Sequence, residues 1–141
     1  MRKGVILNQK LVAALAGLGH GDNFIVCDAG FPIPEGVKRI DLALMEGVPT
    51  VMQVLKAILS EMIVEEAVWS EEMEEESPQL CSQLNEMFCE QNKMTPQYAK
   101  FELMARQAKF CVRTGDIIQY GGILLKSATA VRKYNQKYDI V

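Results

Sequence analysis

The chain contains a single histidine, His20, in the segment Leu18-Gly19-His20-Gly21-Asp22. It stands at a glycine-flanked break between an apolar helical pattern and the apolar run Phe24-Ile25-Val26-Cys27, which Asp28 closes. Glycine on both sides permits a sharp turn and close approach of a ligand. An imidazole has an ordinary pKa of about 6.5 and exchanges protons near neutrality. His20, with Asp22 and Asp28 following it, is therefore a candidate for general acid–base chemistry. The same residues admit a structural reading, in which His20 closes a helix and Asp28 ends a strand in a turn.

The elements that must position these groups are legible from periodicity. Asn8 is placed to cap a helix on which Leu11, Val12, Leu15 and Leu18 recur, with Gly19 as its stop. Phe24 to Cys27 is a short continuous apolar run, as in a strand covered on both faces. Phe31 to Gly36 carries Pro32 and Pro34 and reads as a loop. Arg39 to Leu44 alternates and predicts a strand, and Gly47 and Pro49 break the chain after it. Val51, Leu55, Ile58, Leu59 and Met62 mark an amphipathic helix, and Val64 to Trp69 a second buried strand. Ser77-Pro78 predicts a cap with proline at the first helical position, leading into a stripe of Leu80, Leu84, Met87 and Phe88. Thr95-Pro96 opens a helix with Tyr98, Phe101 and Ala105 on one face. Phe110 to Val112 and Gly122 to Leu125 predict strands, joined by the turn-like Arg113-Thr114-Gly115-Asp116. Helices alternating with strands predict an α/β fold, a single compact domain with a mainly parallel sheet flanked by helices.

Several function classes are excluded by composition and spacing. The 141 residues suit one core, and a net charge of −3 leaves no nucleic-acid footprint. No apolar run approaches a membrane span, and the apolar start after Met1-Arg2-Lys3 stops at Asn8-Gln9-Lys10, too soon for a signal peptide. Cys27, Cys81, Cys89 and Cys111 lack Cys-x-x-Cys spacing, and with one histidine they form no zinc set. They read as reduced thiols of a cytoplasmic protein. Gly17-Leu18-Gly19-His20-Gly21 precedes its strand, whereas a dinucleotide fingerprint follows one. The acidic run Glu71 to Glu76 reads as a solvated turn or helix end, with a cation site as the lesser alternative.

Separated segments resemble one family, the D-ribose pyranase and L-fucose mutarotase family of small sugar mutarotases. They are Lys3-Gly4-Val5-Ile6-Leu7-Asn8, then Leu18-Gly19-His20-Gly21-Asp22 with Asp28-Ala29-Gly30-x-Pro32-x-Pro34, then Arg39-Ile40-Asp41-Leu42-Ala43-Leu44. Gly47-Val48-Pro49 leads into Met52-Gln53-Val54-Leu55 and Glu61-Met62-x-Val64-Glu65. Val112-Arg113-Thr114-Gly115-Asp116 and Tyr120-Gly121-Gly122-x-Leu124-Leu125 complete the likeness. It covers residues 1–130 and is weakest between 70 and 100. The Ala29-Gly30 pair and the Ile40-Asp41-Leu42 strand are closer to the ribose branch. The stretch 131–141, with Arg132, Lys133 and Lys137, stands outside it and reads as a mobile tail or as a segment that packs on a neighbouring subunit.

The resemblance implies an isomerase that interconverts ring forms of a free monosaccharide, D-ribose first, with no cofactor and no metal. It implies a homo-oligomer of two stacked pentameric rings. Carried over by position, His20 would be the proton donor. Asp28, Tyr98, Tyr120, Gly121 and Gly122 would bind sugar. Opening a hemiacetal needs a proton taken from the anomeric hydroxyl and one given to the ring oxygen, so an acid–base group and hydroxyl anchors suffice. Two positions depart from the family. The ribose branch has histidine and the fucose branch arginine where this chain has Tyr98. A Tyr-x-Asn becomes Tyr120-Gly121-Gly122, which is expected to remove an amide anchor and open space. These departures keep L-fucose or another sugar open as substrate. They also keep open a non-catalytic sugar-binding or regulatory protein, and a purely packing role for Tyr98.

Overall fold

The computed structural model describes residues 1–130, 133–135, 137 and 138. The Asn8 side chain accepts the Leu11 N–H at 3.0 Å and starts helix α1, Gln9–Ala16. The helix stops at Gly17, one turn-half before the expected Gly19, and Leu11 and Leu15 form its buried face. Strand β1, Asn23–Cys27, follows the His20 turn, and Phe24 to Cys27 are all fully buried. Strand β2 is Lys38–Asp41. It is shorter than the expected 39–44 because the chain turns away after Leu42, where Met45 bridges Val48. Helix α2, Val51–Leu59, begins at a reciprocal capping box: the Thr50 side chain accepts the Gln53 N–H, and the Gln53 side chain accepts the Thr50 N–H.

Beyond it lie β3 (Val64–Val68), α3 (Glu71–Glu76), α4 (Pro78–Met87), β4 (Asn92–Met94), α5 (Tyr98–Ala105), β5 (Phe110–Arg113) and β6 (Gly122–Ser127). Two of these depart from the sequence reading. The acidic run is a helix in its own right, capped by Ser70, whose side chain accepts the Met73 N–H at 3.1 Å. The unexpected β4 is a short, exposed edge strand with no alternation to betray it; only pairing with β3 makes it a strand.

The sheet has the order β2-β5-β1-β6-β3-β4. β1 and β2 each pair with β5 in parallel, as β3 does with β4, whereas β6 runs antiparallel to both β1 and β3. The sheet is thus mixed but mainly parallel, with β6 alone reversed. The connection from β5 to β6 spans residues 114–121, too few for the dozen or so that a parallel crossover needs.

Successive residues of β1 feed opposite faces. Phe24 and Val26 pack with Leu55, Ile58, Trp69 and Leu84 in the larger cluster, under α1, α2 and α4. Ile25 and Cys27 pack with Phe31, Phe101, Ala105, Cys111 and Leu124 under α5. Full burial of each large side chain contributes about 1.5–3 kcal/mol. Cys27 and Cys111 lie on adjacent strands with their sulfurs 3.3 Å apart, hydrogen-bonded as thiols rather than joined. That bond and burial push the Cys27 thiol well up, so it serves as a protonated packing group. At the exit of β5, Gly115 lies against the carbonyls of Met45 and Val48, where a Cβ has no room, and its own carbonyl accepts the Gly47 N–H at 2.7 Å. This fixes the 43–49 loop beside the ends of the parallel strands.

In the last stretch, Tyr138 is half-buried against the larger cluster and hydrogen-bonds the Gln91 side chain, so this part of the tail packs on its own chain. The expectation of a mobile or neighbour-bound tail at Val131, Arg132, Gln136 and 139–141 lies outside the described residues. Among the described residues, no helix is long and apolar enough to cross a membrane.

Candidate active site

Asp28 follows the last residue of β1, at the carboxyl end of the parallel strands, where open α/β sheets bind their ligands. A cavity of about 150 Å³ opens there, lined by Asp28, Phe31, Tyr98, Ile118, Tyr120 and Gly121 among others. Four of the sequence-predicted residues, Asp28, Tyr98, Tyr120 and Gly121, therefore share one wall-to-wall space.

Asp28 is 6% exposed. Its Oδ2 accepts the N–H of Ile118 at 3.2 Å and that of Gly30 at 3.3 Å. Both of these bonds fall on Oδ2, so Oδ1 is the atom placed for a ligand hydroxyl. Burial raises the Asp28 pKa, and the two N–H donors only partly offset it. The carboxylate is accordingly a stronger base and hydrogen-bond acceptor than an exposed one. Backbone bonds hold it from both sides: the Asp28 N–H donates to Gly121 O at 2.8 Å and the Ala29 N–H to Asp116 O at 2.8 Å. Arg113 ties the same loop to β2, donating from Nε to Ala29 O at 2.9 Å while its Nη1 pairs with Asp41 at 3.0 Å.

Tyr98 is the first residue of α5. Its ring stands edge-on to Tyr120, centroids 5.0 Å apart, and is stacked on Phe101 at 6.2 Å. Burial, followed by the nearby Glu102, Asp28 and Tyr120, raises its pKa, so at neutral pH it is a phenol able to donate. Tyr120 has φ +55°, a conformation that costs a bulky side chain and is held here by the surrounding turn. Gly121 is required by space: a Cβ would come within 2.9 Å of Asp28 Cβ and of Ile118 Cβ.

Gly122 differs from its expectation. It does not open space beside the cavity, because the ring of Phe31 occupies that volume; a Cβ on Gly122 would meet Phe31 Cε2 at 2.5 Å. Returning a side-chain amide to this position alone would therefore displace Phe31 rather than add an anchor.

His20 is not at this cavity. It is exposed in the turn before β1. The turn is built without its side chain: the Gly19 N–H donates to Asp22 Oδ2 at 2.8 Å, and the Gly21 N–H to Ser127 O at 2.9 Å. Asp22 is thus a turn-former and not a partner of His20. The chain runs from Gly121, beside Asp28, through β6 to Ser127, beside Gly21, which separates the two ends by about 20 Å at strand rise.

Sequence reasoning missed Glu72. From the acidic helix α3 its Oε2 accepts the N–H of Tyr98 at 2.8 Å, while Gln97 supplies no side-chain cap to α5. The carboxylate thus caps α5 from outside and sets where Tyr98 begins; a negative charge there also suits the helix N-terminus. Glu74 has a second structural task, accepting the Trp69 indole N–H at 3.2 Å. Among the described residues no group of three His, Cys, Asp or Glu side chains is placed to hold a metal ion. Glu72→Ala is expected to lower stability by about 1 kcal/mol, with Glu72→Gln retaining more. Thermal melts check this; an unchanged Tm in Glu72→Ala would remove its capping role.

The family model described as the RbsD / FucU transport protein family matches residues 1–130. A protein named D-ribose pyranase from Aeromonas salmonicida (strain A449) is 41% identical, over 92% of this chain and 99% of that protein. D-ribose pyranase 1 of Rubrobacter xylanophilus is 42% identical, over 89% and 96%. The structure of Bacillus subtilis RbsD complexed with D-ribose superposes with a TM-score of 0.89 at 33% identity, covering 93% of this chain and all (100%) of that one. The fucose mutarotase of Streptococcus pneumoniae, in complex with L-fucose, shares the fold at a TM-score of 0.75 and 20% identity. With the match running through the His20 turn, the Asp28 loop and the Tyr120 turn alike, the chain belongs to the RbsD / FucU family.

Proposed function

We propose that this protein is a D-ribose pyranase, an isomerase that interconverts the pyranose and furanose forms of the free sugar through residues 1–130. The observation that carries this reading is the cavity itself, in which one buried carboxylate and two phenols converge on a space for a small polyol. In the reaction the anomeric hydroxyl loses its proton, the C1–O5 bond breaks with its electrons going to O5, and O5 gains a proton. The open-chain aldehyde then closes when O4 adds to C1, O4 losing a proton and the carbonyl oxygen gaining one. No proton is consumed overall. Asp28 holds a sugar hydroxyl through Oδ1, Tyr98 and Tyr120 supply further hydrogen bonds, and His20 donates to the ring oxygen.

His20 and Asp28 of one chain are too far apart to act on one sugar, so the reading requires a neighbouring copy to bring its His20 to the cavity. This supports a homo-oligomer with a site shared between copies, and the assembly proposed is two stacked pentameric rings. Exposed Leu44, Met45 and Ile117, at 79%, 64% and 65%, flank the Asp28 loop on a surface that suits a subunit contact. Light scattering is expected to report a decamer at micromolar concentration; a stable, active monomer would overturn the shared site. The thiols, buried or unjoined, fit a reducing cytoplasm. The direct test of function is two-dimensional exchange NMR on D-ribose, L-fucose and related free sugars. Acceleration of ribose ring exchange supports the reading, and binding without acceleration would leave a sugar-binding protein in its place.

A further inference from the structure

We infer that Phe31, seated on Gly122, is the specificity-determining wall of the cavity, selecting sugars that present a hydroxyl-free ring carbon to it. The inference rests on the sugar-isomerase reading above and adds to it a residue and a rule of selection. Phe31 is 7% exposed and lines the cavity with Asp28, Tyr98, Tyr120 and Gly121. Gly122 lies so near that a Cβ would meet three ring carbons at 2.5–3.0 Å, and Phe101 stands edge-on at 6.2 Å on another side. On a further side Phe31 borders a second cavity of about 440 Å³, with Pro32, Ile33 and Glu102. The absence of a side chain at Gly122 is what lets the ring sit where it does.

The cavity is consequently two-faced. Asp28, Tyr98 and Tyr120 offer hydrogen-bonding groups, whereas Phe31, with Ile118 beside the Asp28 carboxylate, offers none. A ribopyranose has the matching asymmetry, with hydroxyls on C1 to C4 and a bare methylene at C5. Setting the hydroxyls on the polar side directs C5 toward the aromatic wall, which pairs the hydroxyls and buries the one apolar carbon. A hydroxymethyl at C5, as in D-allopyranose, would press a hydroxyl against a ring that cannot pair with it.

The test is a cycle of Gly122→Ala, Phe31→Ala and the double variant, read by thermal melts and by exchange NMR on D-ribose and D-allose. Gly122→Ala is expected to lower Tm and to reduce ribose exchange about tenfold or more by displacing the ring from its seat in the cavity wall. Phe31→Ala is expected to lower the ribose-to-allose rate ratio by about 10–100-fold, the range set by one carbon group in an apolar pocket. In the double variant the Tm loss should be smaller than the sum of the single losses, because the smaller residue at 31 makes room for the methyl. If the parent accelerates ribose exchange and Phe31→Ala leaves the ratio unchanged, the wall has no role and the isomerase reading stands without it. Strictly additive Tm changes would overturn the packing on which the inference is built. A parent that neither accelerates nor binds any sugar would bring down the isomerase reading and this inference together.

Discussion

His20→Ala is expected to fold as the parent does and to lose about 10²–10⁴-fold of its sugar ring exchange, the contribution of one placed acid or base. That corresponds to roughly 3–5 kcal/mol of barrier. The fold is spared because the turn is held by Asp22 and by backbone bonds to Ser127 and not by the imidazole, which is exposed. His20→Asn should not restore activity, since an amide does not titrate. The separation of His20 from Asp28 along β1 and β6 adds a sharper expectation. When inactive His20→Ala and Asp28→Asn chains are mixed, dissociated and reassembled, a measurable fraction of activity should return, because some contacts then join an intact His20 to an intact Asp28. Undiminished exchange in His20→Ala would sink its assignment as the acid. Failure of the mixture to regain activity, with assembly verified by light scattering, would sink the shared site.

Asp28→Asn is expected to weaken sugar binding by about tenfold or more, and at the same time to raise Tm at neutral pH. The first effect follows from the loss of a charge-assisted acceptor at Oδ1. The second follows from the direction of the Asp28 pKa. Burial raises it above the ordinary 3.8, so the folded state holds this proton more tightly than the unfolded chain does. The stability it contributes is fully present below 3.8 and is lost as pH rises through the raised folded value. Asparagine, which keeps an oxygen for the Gly30 and Ile118 N–H groups, escapes that loss. The Tm advantage of the variant should thus be near zero in acid and open as pH rises toward neutrality. A variant that binds sugar as tightly as the parent would make Asp28 a turn residue, and a Tm advantage that shrinks toward neutrality would contradict the raised pKa. A stabilised but weakened variant would show that the carboxylate is kept for binding at a cost in stability.

The family was readable from the resemblance of its separated motifs, and most elements were readable from periodicity, because caps, prolines and apolar stripes are local signals. Asn8, Thr50 and Pro78 act within a few residues of where they stand. The acidic run shows where local reading stops. Its composition predicts a solvated surface, yet Glu72 reaches across to the Tyr98 N–H, a contact made between elements 26 residues apart. Edge strand β4 was invisible for the same reason, since its pairing with β3 and not its composition makes it a strand.

By itself the sequence determined which residue types could act on a sugar, and that they belong to an α/β domain with a buried sheet. Only the tertiary structure decided which of them share a space. Asp28, Tyr98, Tyr120 and Gly121 converge because the carboxyl end of β1, the start of α5 and the turn before β6 meet at one end of the sheet's central strands. His20 stays away because a strand separates it from Asp28, and a strand is stiff and has a fixed rise. Gly122, an opening when read as a missing side chain, is filled because Phe31 is folded over it from a loop that spacing alone could not aim. Sequence distance along a chain fixes separation within one element, but contact between elements depends on packing that no local pattern records.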